Sequence, residues 1–532
     1  MFIRHPTLIL ALARYSSAIC SQSPSATIQN GVVFGTTTSI PEATVTVNKF
    51  LGIPYADSPP QRFSAPAAAP DWNAPRNATV FGPACLQQSG VLAALSYKEP
   101  VQSEDCLYVN VYQPSGQPPD YGWPVMVWIH GGGLQFGSSD APEYDGAAFA
   151  AHENVLFVSF NYRLSRMNSA TPRFRSSADH FQVFGFPGAP GLPNLGFLDQ
   201  RLALSWVQDN IAAFDGDDKK VTIFGESSGG ISVDALLTVP PSPIPFRAAI
   251  VQSGTVLSNA LASLGQNPET AWNQTAAFFN CSLAGDQVAC LRDVPALQLQ
   301  AFASNNSLPT IVKNDNLTYL SSAGQQYADG QAANVPVMVG TTADEGTIFT
   351  LGQSNLTAFI NNTFALLPQL IPQIAAAYAV GTPGINSERQ AIARIFTEVG
   401  VQCPSALLAR QITEAMNPAW RYIFNATFSN TSPAPSLDLG VFHSSELPLV
   451  FSSFNKTTAT GQQYALSNYM RGAWAQFAKD SENGPGWGPV GSYNGTDLGL
   501  LGSDGSSGVT VVNPTNVDAR CAIFEPIYQF LG

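Results

Sequence analysis

Apolar residues in this chain come in short dense blocks separated by polar, Gly- and Pro-rich connections. Residues 125–129 (Val-Met-Val-Trp-Ile) and 155–160 are nearly unbroken apolar runs, as a parallel strand covered on both faces requires. Residues 221–224, 248–252, 335–340 and 420–425 repeat the theme on a smaller scale. Residues 107–112 alternate as a strand. So do residues 30–51, where Val45, Val47, Phe50 and Leu51 suggest an antiparallel hairpin closed by Gly52-Ile53-Pro54-Tyr55. The stretch 198–214 sets Leu198, Leu202, Trp206 and Ile211 near one face of a helix. Strands alternating with helices over hundreds of residues predict the α/β class. The expected architecture is a mainly parallel, doubly wound central sheet with helices on both faces and an N-terminal antiparallel hairpin. With no internal repeat and no clean linker, residues 21–532 read as one domain.

Composition narrows the setting. Of 532 residues 45% are hydrophobic and only 11% charged, with a net charge of −13. An acidic chain without a basic patch has no means of neutralising phosphates, which excludes a nucleic-acid partner. Arg4 and His5, an apolar run over 8–13 and the small residues before Cys20 predict a secretory signal over residues 1–20. No later apolar run is long enough to span a bilayer, and residues 527–532 lack the tail of a lipid-anchor signal. Export also fits the N-x-S/T acceptors at Asn77, Asn273, Asn305, Asn316, Asn355, Asn361, Asn425, Asn430, Asn455 and Asn494. Of seven cysteines, loss of Cys20 with the signal leaves an even set that allows fifteen disulfide pairings. Residues 166–182 fit nothing around them: Arg166, Arg173 and Arg175 lie in a stretch without periodicity that parts 161–164 from 184–187. The stretch reads either as a surface insertion or as translated intron.

The candidate chemistry centres on 221–230, V-T-I-F-G-E-S-S-G-G. A strand, G-x-S-x-G and a helix-compatible segment form the nucleophile-elbow pattern. Gly225 and Gly229 flank the turn so that Ser227 can project from it. After the 125–129 strand comes His130-Gly131-Gly132-Gly133, a loop able to donate backbone N–H groups to an oxyanion. The donors would be Gly132 and Gly133, joined by the backbone of Ser228 at the helix N-terminus. A base emerges by elimination among five histidines. His5 leaves with the signal, His130 belongs to the glycine loop, His152 ends a polar helix and His180 lies in the odd insertion. His443 remains, downstream of the serine as the order Ser…acid…His demands. The acid belongs at a strand end between them. Asp344 and Glu345, after the 335–340 strand, both qualify, and the residues alone do not choose.

Together, 52–55, 103–112, 130–133, Tyr144-Asp145-Gly146, 194–201 and 225–230 resemble the type-B carboxylesterase/lipase family, which includes cholinesterases, carboxylesterases and fungal lipases. The resemblance implies a secreted, fungal-type α/β-hydrolase with a Ser227–Glu345–His443 triad, choosing Glu345 over Asp344. It implies the pairings Cys85–Cys106, Cys281–Cys290 and Cys403–Cys521, and a hydrogen bond from Ser253 to the triad acid. Leu134 departs from the family pattern, standing where an aromatic often follows the glycines.

The expected function is ester hydrolysis through an acyl-enzyme, on a small-molecule ester or lipid and with no metal or organic cofactor. Because His443 must start neutral, activity is expected to fall on acidification through about pH 6–7. The loop between Cys85 and Cys106 is short beside fungal lipase lids, favouring soluble or short-to-medium acyl esters over long-chain triglycerides. A non-catalytic binding protein is the contrasting class, disfavoured because every catalytic element is retained.

Overall fold

Successive residues of a strand face opposite sides of a sheet, so a strand apolar at every position must be covered twice. The computed structural model describes residues 23–87, 100–165, 184–189, 191–267, 269–306, 312–433, 437–492 and 495–531, and in it the densest apolar runs take central places. The expected signal over 1–20, the insertion 166–182 and the apolar centre of the Cys85–Cys106 loop lie outside the described residues.

An eleven-stranded sheet forms the frame. Its strands in chain order are β1 (Thr36–Thr38), β2 (Val47–Pro54), β3 (Tyr108–Pro114), β4 (Trp123–Ile129), β5 (Leu156–Phe160) and β6 (Gly216–Glu226). They continue with β7 (Ala248–Gln252), β8 (Val337–Thr342), β9 (Ala419–Phe424), β10 (Leu498–Leu501) and β11 (Val509–Val512). Across the sheet the order is β11-β10-β9-β8-β7-β6-β4-β5-β3-β2-β1. From β5 to β10 all neighbours are parallel. Both edges are antiparallel. The N-terminal hairpin is two pieces. Ser25–Ile28 pairs with Gly31–Phe34 in a separate small sheet, and β1 then pairs with β2 in the main one.

Alternation within β4 divides the core. Val125, Val127 and Ile129 pack on one side with Leu204 and Val207 of helix α2 (Leu195–Asn210) and Val233 and Leu237 of α3 (Ser228–Thr238). Met126 and Trp128 point the other way, into Leu466, Met470 and Trp474 of α4 (Gly461–Lys479). The face of α2 only partly matches the one its apolar spacing predicts: Trp206 and Ile211, just past the helix end, are buried as expected. Leu198 and Leu202 are only half-buried, while Leu195, Asp199, Ala203 and Trp206 are buried. The cause is an ion pair. Asp199 takes the Arg163 guanidinium at 2.6 Å, and a buried carboxylate is invisible to hydrophobic periodicity. Because β4 and β6–β9 run parallel, their carboxyl ends open on one edge, where ligands bind in open α/β sheets.

Candidate active site

Ser227 links β6 directly to α3 with φ 58° and ψ −123°. A non-glycine residue holds such a backbone at a cost of about 1–3 kcal/mol, and only when its surroundings fix it. They do so here. The Ser227 amide donates to the Gln252 carbonyl at 2.9 Å. A Cβ on Gly229 would sit 2.0 Å from the Ile129 carbonyl oxygen, so no larger residue lets α3 approach β4 this closely.

The glycine loop expected to bind an oxyanion follows β4. Gly132 has φ 107°, a conformation that excludes side chains, and its carbonyl is occupied by the amides of Gln135 and Phe136. Among the described residues neither the Gly132 nor the Gly133 amide donates to a protein acceptor. The Ser228 amide is also free of intrahelical partners, as first amides of helices are. Its hydroxyl, by contrast, is engaged: it accepts the Leu134 amide at 3.0 Å.

The two adjacent carboxylates after β8 part company. Glu345 is fully buried and contacts His443 Nδ1 at 2.5 Å through Oε2, while its Oε1 accepts the Thr342 amide at 2.7 Å. Asp344 turns away and clamps the histidine's loop. Its amide donates to the Val441 carbonyl and its Oδ2 accepts the Val441 amide. His443 Nε2 makes no hydrogen bond and lies 3.2 Å from Glu226 Oε1. The Ser253 bond to the acid is a correction. Ser253 Oγ is buried without a hydrogen-bond partner, since its backbone is pinned at φ 50° with its amide on the Gly340 carbonyl.

Residue-by-residue reading of the motifs missed a carboxylate cluster around this histidine. Glu226 accepts the Ser444 hydroxyl at 2.6 Å. Glu446 accepts from Gln252, which in turn accepts the Trp474 indole N–H. Burial raises the Glu226 pKa, opposed by the charge of His443, and burial pushes Glu446 up to about 8. Burial works to lower His443, but the charges of Glu226 and Glu345 outweigh it and push the imidazole up to about 9. Those charges oppose the neutral imidazole on which the expected acid limb near pH 6–7 depends. One signal was in plain view: Glu226 lies inside G-x-S-x-G, and Glu446 three residues after His443. Phe349, 41% exposed, stands with its ring 4.9 Å from that of His443 and stacks on Phe396, forming an apolar wall beside the base.

The two other histidines with described side chains are pushed the opposite way from His443. Burial lowers His130 to about 4, so it stays neutral, its Nδ1 on the Gly131 carbonyl. His152 lies in helix α1 (Ala147–Glu153), where burial also lowers its pKa. Disulfides join Cys85 to Cys106, Cys281 to Cys290 and Cys403 to Cys521. No helix among the described residues is long and apolar enough to cross a membrane.

Comparison with known proteins extends over nearly the whole chain. The sequence model of the carboxylesterase family matches residues 22–500. Carboxylesterase 1C of Rattus norvegicus is 32% identical over 513 residues, 90% of this chain and 90% of that protein. Cholinesterase of Mus musculus is 33% identical over 83% of this chain and 76% of its own length. A solved PNB esterase structure superposes with a TM-score of 0.73 at 30% identity, covering 94% of this chain and 99% of that one.

Proposed function

The chain belongs to the carboxylesterase family and is a carboxylic ester hydrolase, and from that premise we propose that Ser227, Glu345 and His443 work as its triad through an acyl-enzyme. The observation that carries the reading is the 2.5 Å contact between His443 and a fully buried Glu345, in a site that also holds the strained Ser227 and the unengaged glycine amides.

In the first step Ser227 Oγ attacks the ester carbonyl while His443 Nε2 takes its proton. Nε2 rests without a hydrogen bond beside Glu226, the residue immediately before Ser227, and catalytic hydrogen bonds that are long or misaligned in an empty site tighten when substrate fills it. The Gly132, Gly133 and Ser228 amides hold the oxyanion, each worth roughly 10²–10³ in rate. Glu345 keeps the Nδ1–H in place and stabilises the imidazolium. The alkoxide leaves as alcohol with the proton from His443, and water cleaves the acyl-enzyme by the same route. None of these steps calls on a metal or organic cofactor.

The substrate is a soluble ester of short-to-medium acyl chain, with the Phe349–Phe396 wall offering apolar contact to a group beside His443. Residues 1–20 act as a secretory leader for a single catalytic unit over 21–532, a reading that the three disulfides support. A fluorophosphonate probe should label the native protein, and Ser227→Ala should abolish labelling. A folded protein that takes no label would favour a binding role. A rate jump when tributyrin passes from solution to emulsion, absent with soluble p-nitrophenyl esters, would favour a lipase instead.

A further inference from the structure

Ser228 follows the nucleophile, is 2% exposed, and uses its two polar groups in different directions. Its amide belongs to the α3 N-terminus, while its hydroxyl accepts the amide of Leu134, the residue directly after Gly132 and Gly133. Leu134 is 3% exposed and held at φ 60°, a left-handed conformation that a leucine keeps only under external constraint. Its carbonyl is fixed as well, by the Ser165 amide at 2.7 Å. The opposite end of the glycine loop has a matching tie. The Tyr162 phenol donates to the His130 carbonyl at 2.8 Å, and its ring stacks on that of His130 at 4.4 Å.

Glycine amides have little to hold them in register, yet oxyanion donors act only when fixed within about 0.5 Å of their working positions. We propose that the Ser228 hydroxyl is a positioning residue for the oxyanion hole, tying the end of the Gly132-Gly133 loop to the helix that carries the third donor, with Tyr162 securing the loop's start. One residue thereby supplies a donor through its backbone and sets the spacing of the other two through its side chain. The inference rests on the reading of Gly132, Gly133 and Ser228 as those donors.

The test uses the full-length protein with Ser228→Ala, Ser228→Thr, Tyr162→Phe and the Ala/Phe double variant. Each is assayed on p-nitrophenyl butyrate and for inhibition by a trifluoromethyl ketone, whose adduct with the nucleophile places an oxyanion in the hole. Ser228→Ala should lower kcat about tenfold, less than the 10²–10³ of losing a donor outright, with KM within about twofold. Ketone affinity should fall by the same factor, and Ser228→Thr, which keeps the hydroxyl, should recover most of both. Tyr162→Phe should lose about threefold, and the double variant less than the product of the two. Wild-type kcat and ketone affinity in Ser228→Ala overturn the proposal, as does a kcat loss that leaves ketone affinity unchanged. Should Ser228→Ala fail to fold, unaltered ketone affinity in Tyr162→Phe overturns it and a parallel loss in kcat and affinity supports it. A wild-type protein that neither labels with fluorophosphonate nor turns over ester overturns the triad reading itself.

Discussion

His130 opens the glycine loop and His443 packs against Glu226 and Glu345, and their surroundings push the two imidazoles in opposite directions. Burial dominates at His130 and takes it to about 4. The same penalty acts at His443, whose side chain is 10% exposed, but there the charges of Glu226 and Glu345 outweigh it and the group rises to about 9. Burial by itself makes a histidine an inert, neutral piece of scaffold, stacked on Tyr162 with one nitrogen tied to its own loop. Buried carboxylates are what turn a histidine into a strong proton acceptor. The glycine loop is accordingly lined by backbone amides and a neutral ring, while His443 sits among carboxylate side chains.

The sharpest way to break this contrast is to delete each ring. His443→Ala should lower kcat by roughly 10⁴ or more, whereas His130→Phe, which keeps a ring against Tyr162, should stay within about tenfold of wild type. Equal losses in steady-state assays would erase the distinction. Next in size is Glu345→Gln, which keeps the shape of the pair but removes its charge. Turnover should fall by about 10²–10⁴ with little change in KM.

A third change moves a titration more than a rate. The base must be neutral to accept a proton, so the active form grows as pH rises through the pKa of His443. With that pKa raised to about 9, kcat/KM should still be climbing above neutrality. Glu226→Gln removes a raising charge and should carry the limb back toward the ordinary histidine value near 6.5. An apparent pKa unmoved by Glu226→Gln would show that Glu226 does not set the base. The smallest expected effect is the control: His130→Phe should leave the pH limb where it was.

Legibility followed contiguity. The elbow, the glycine loop and the central strands are each written in a few consecutive residues, and each forms where its pattern predicts. His443 was reached because so few histidines were available, not because its surroundings announced it. The pair Asp344–Glu345 was left open by the residues and separates only in space, one carboxylate under the imidazole and the other clamping Val441. The face of α2 was read only in part for a related reason: Trp206 and Ile211 are buried as expected, but the buried stripe also includes Asp199, acceptable there because Arg163 arrives from another segment.

The sequence by itself determined the α/β frame, the sharp turn at Ser227 and the amide-rich loop, because strand, turn and glycine preferences act over a few residues. The family resemblance had chosen Glu345 over Asp344, but only the tertiary structure sets Glu345 against His443, surrounds that imidazole with the charges that raise its pKa, and gives the Ser228 hydroxyl its partner. Those outcomes depend on distances between groups far apart in the chain. Glu345 and His443 are separated by 98 positions, Glu226 and Ser444 by 218, and Leu134 and Ser228 by 94. Electrostatic coupling and hydrogen bonding fall off within a few ångströms, so only the folded chain can set them.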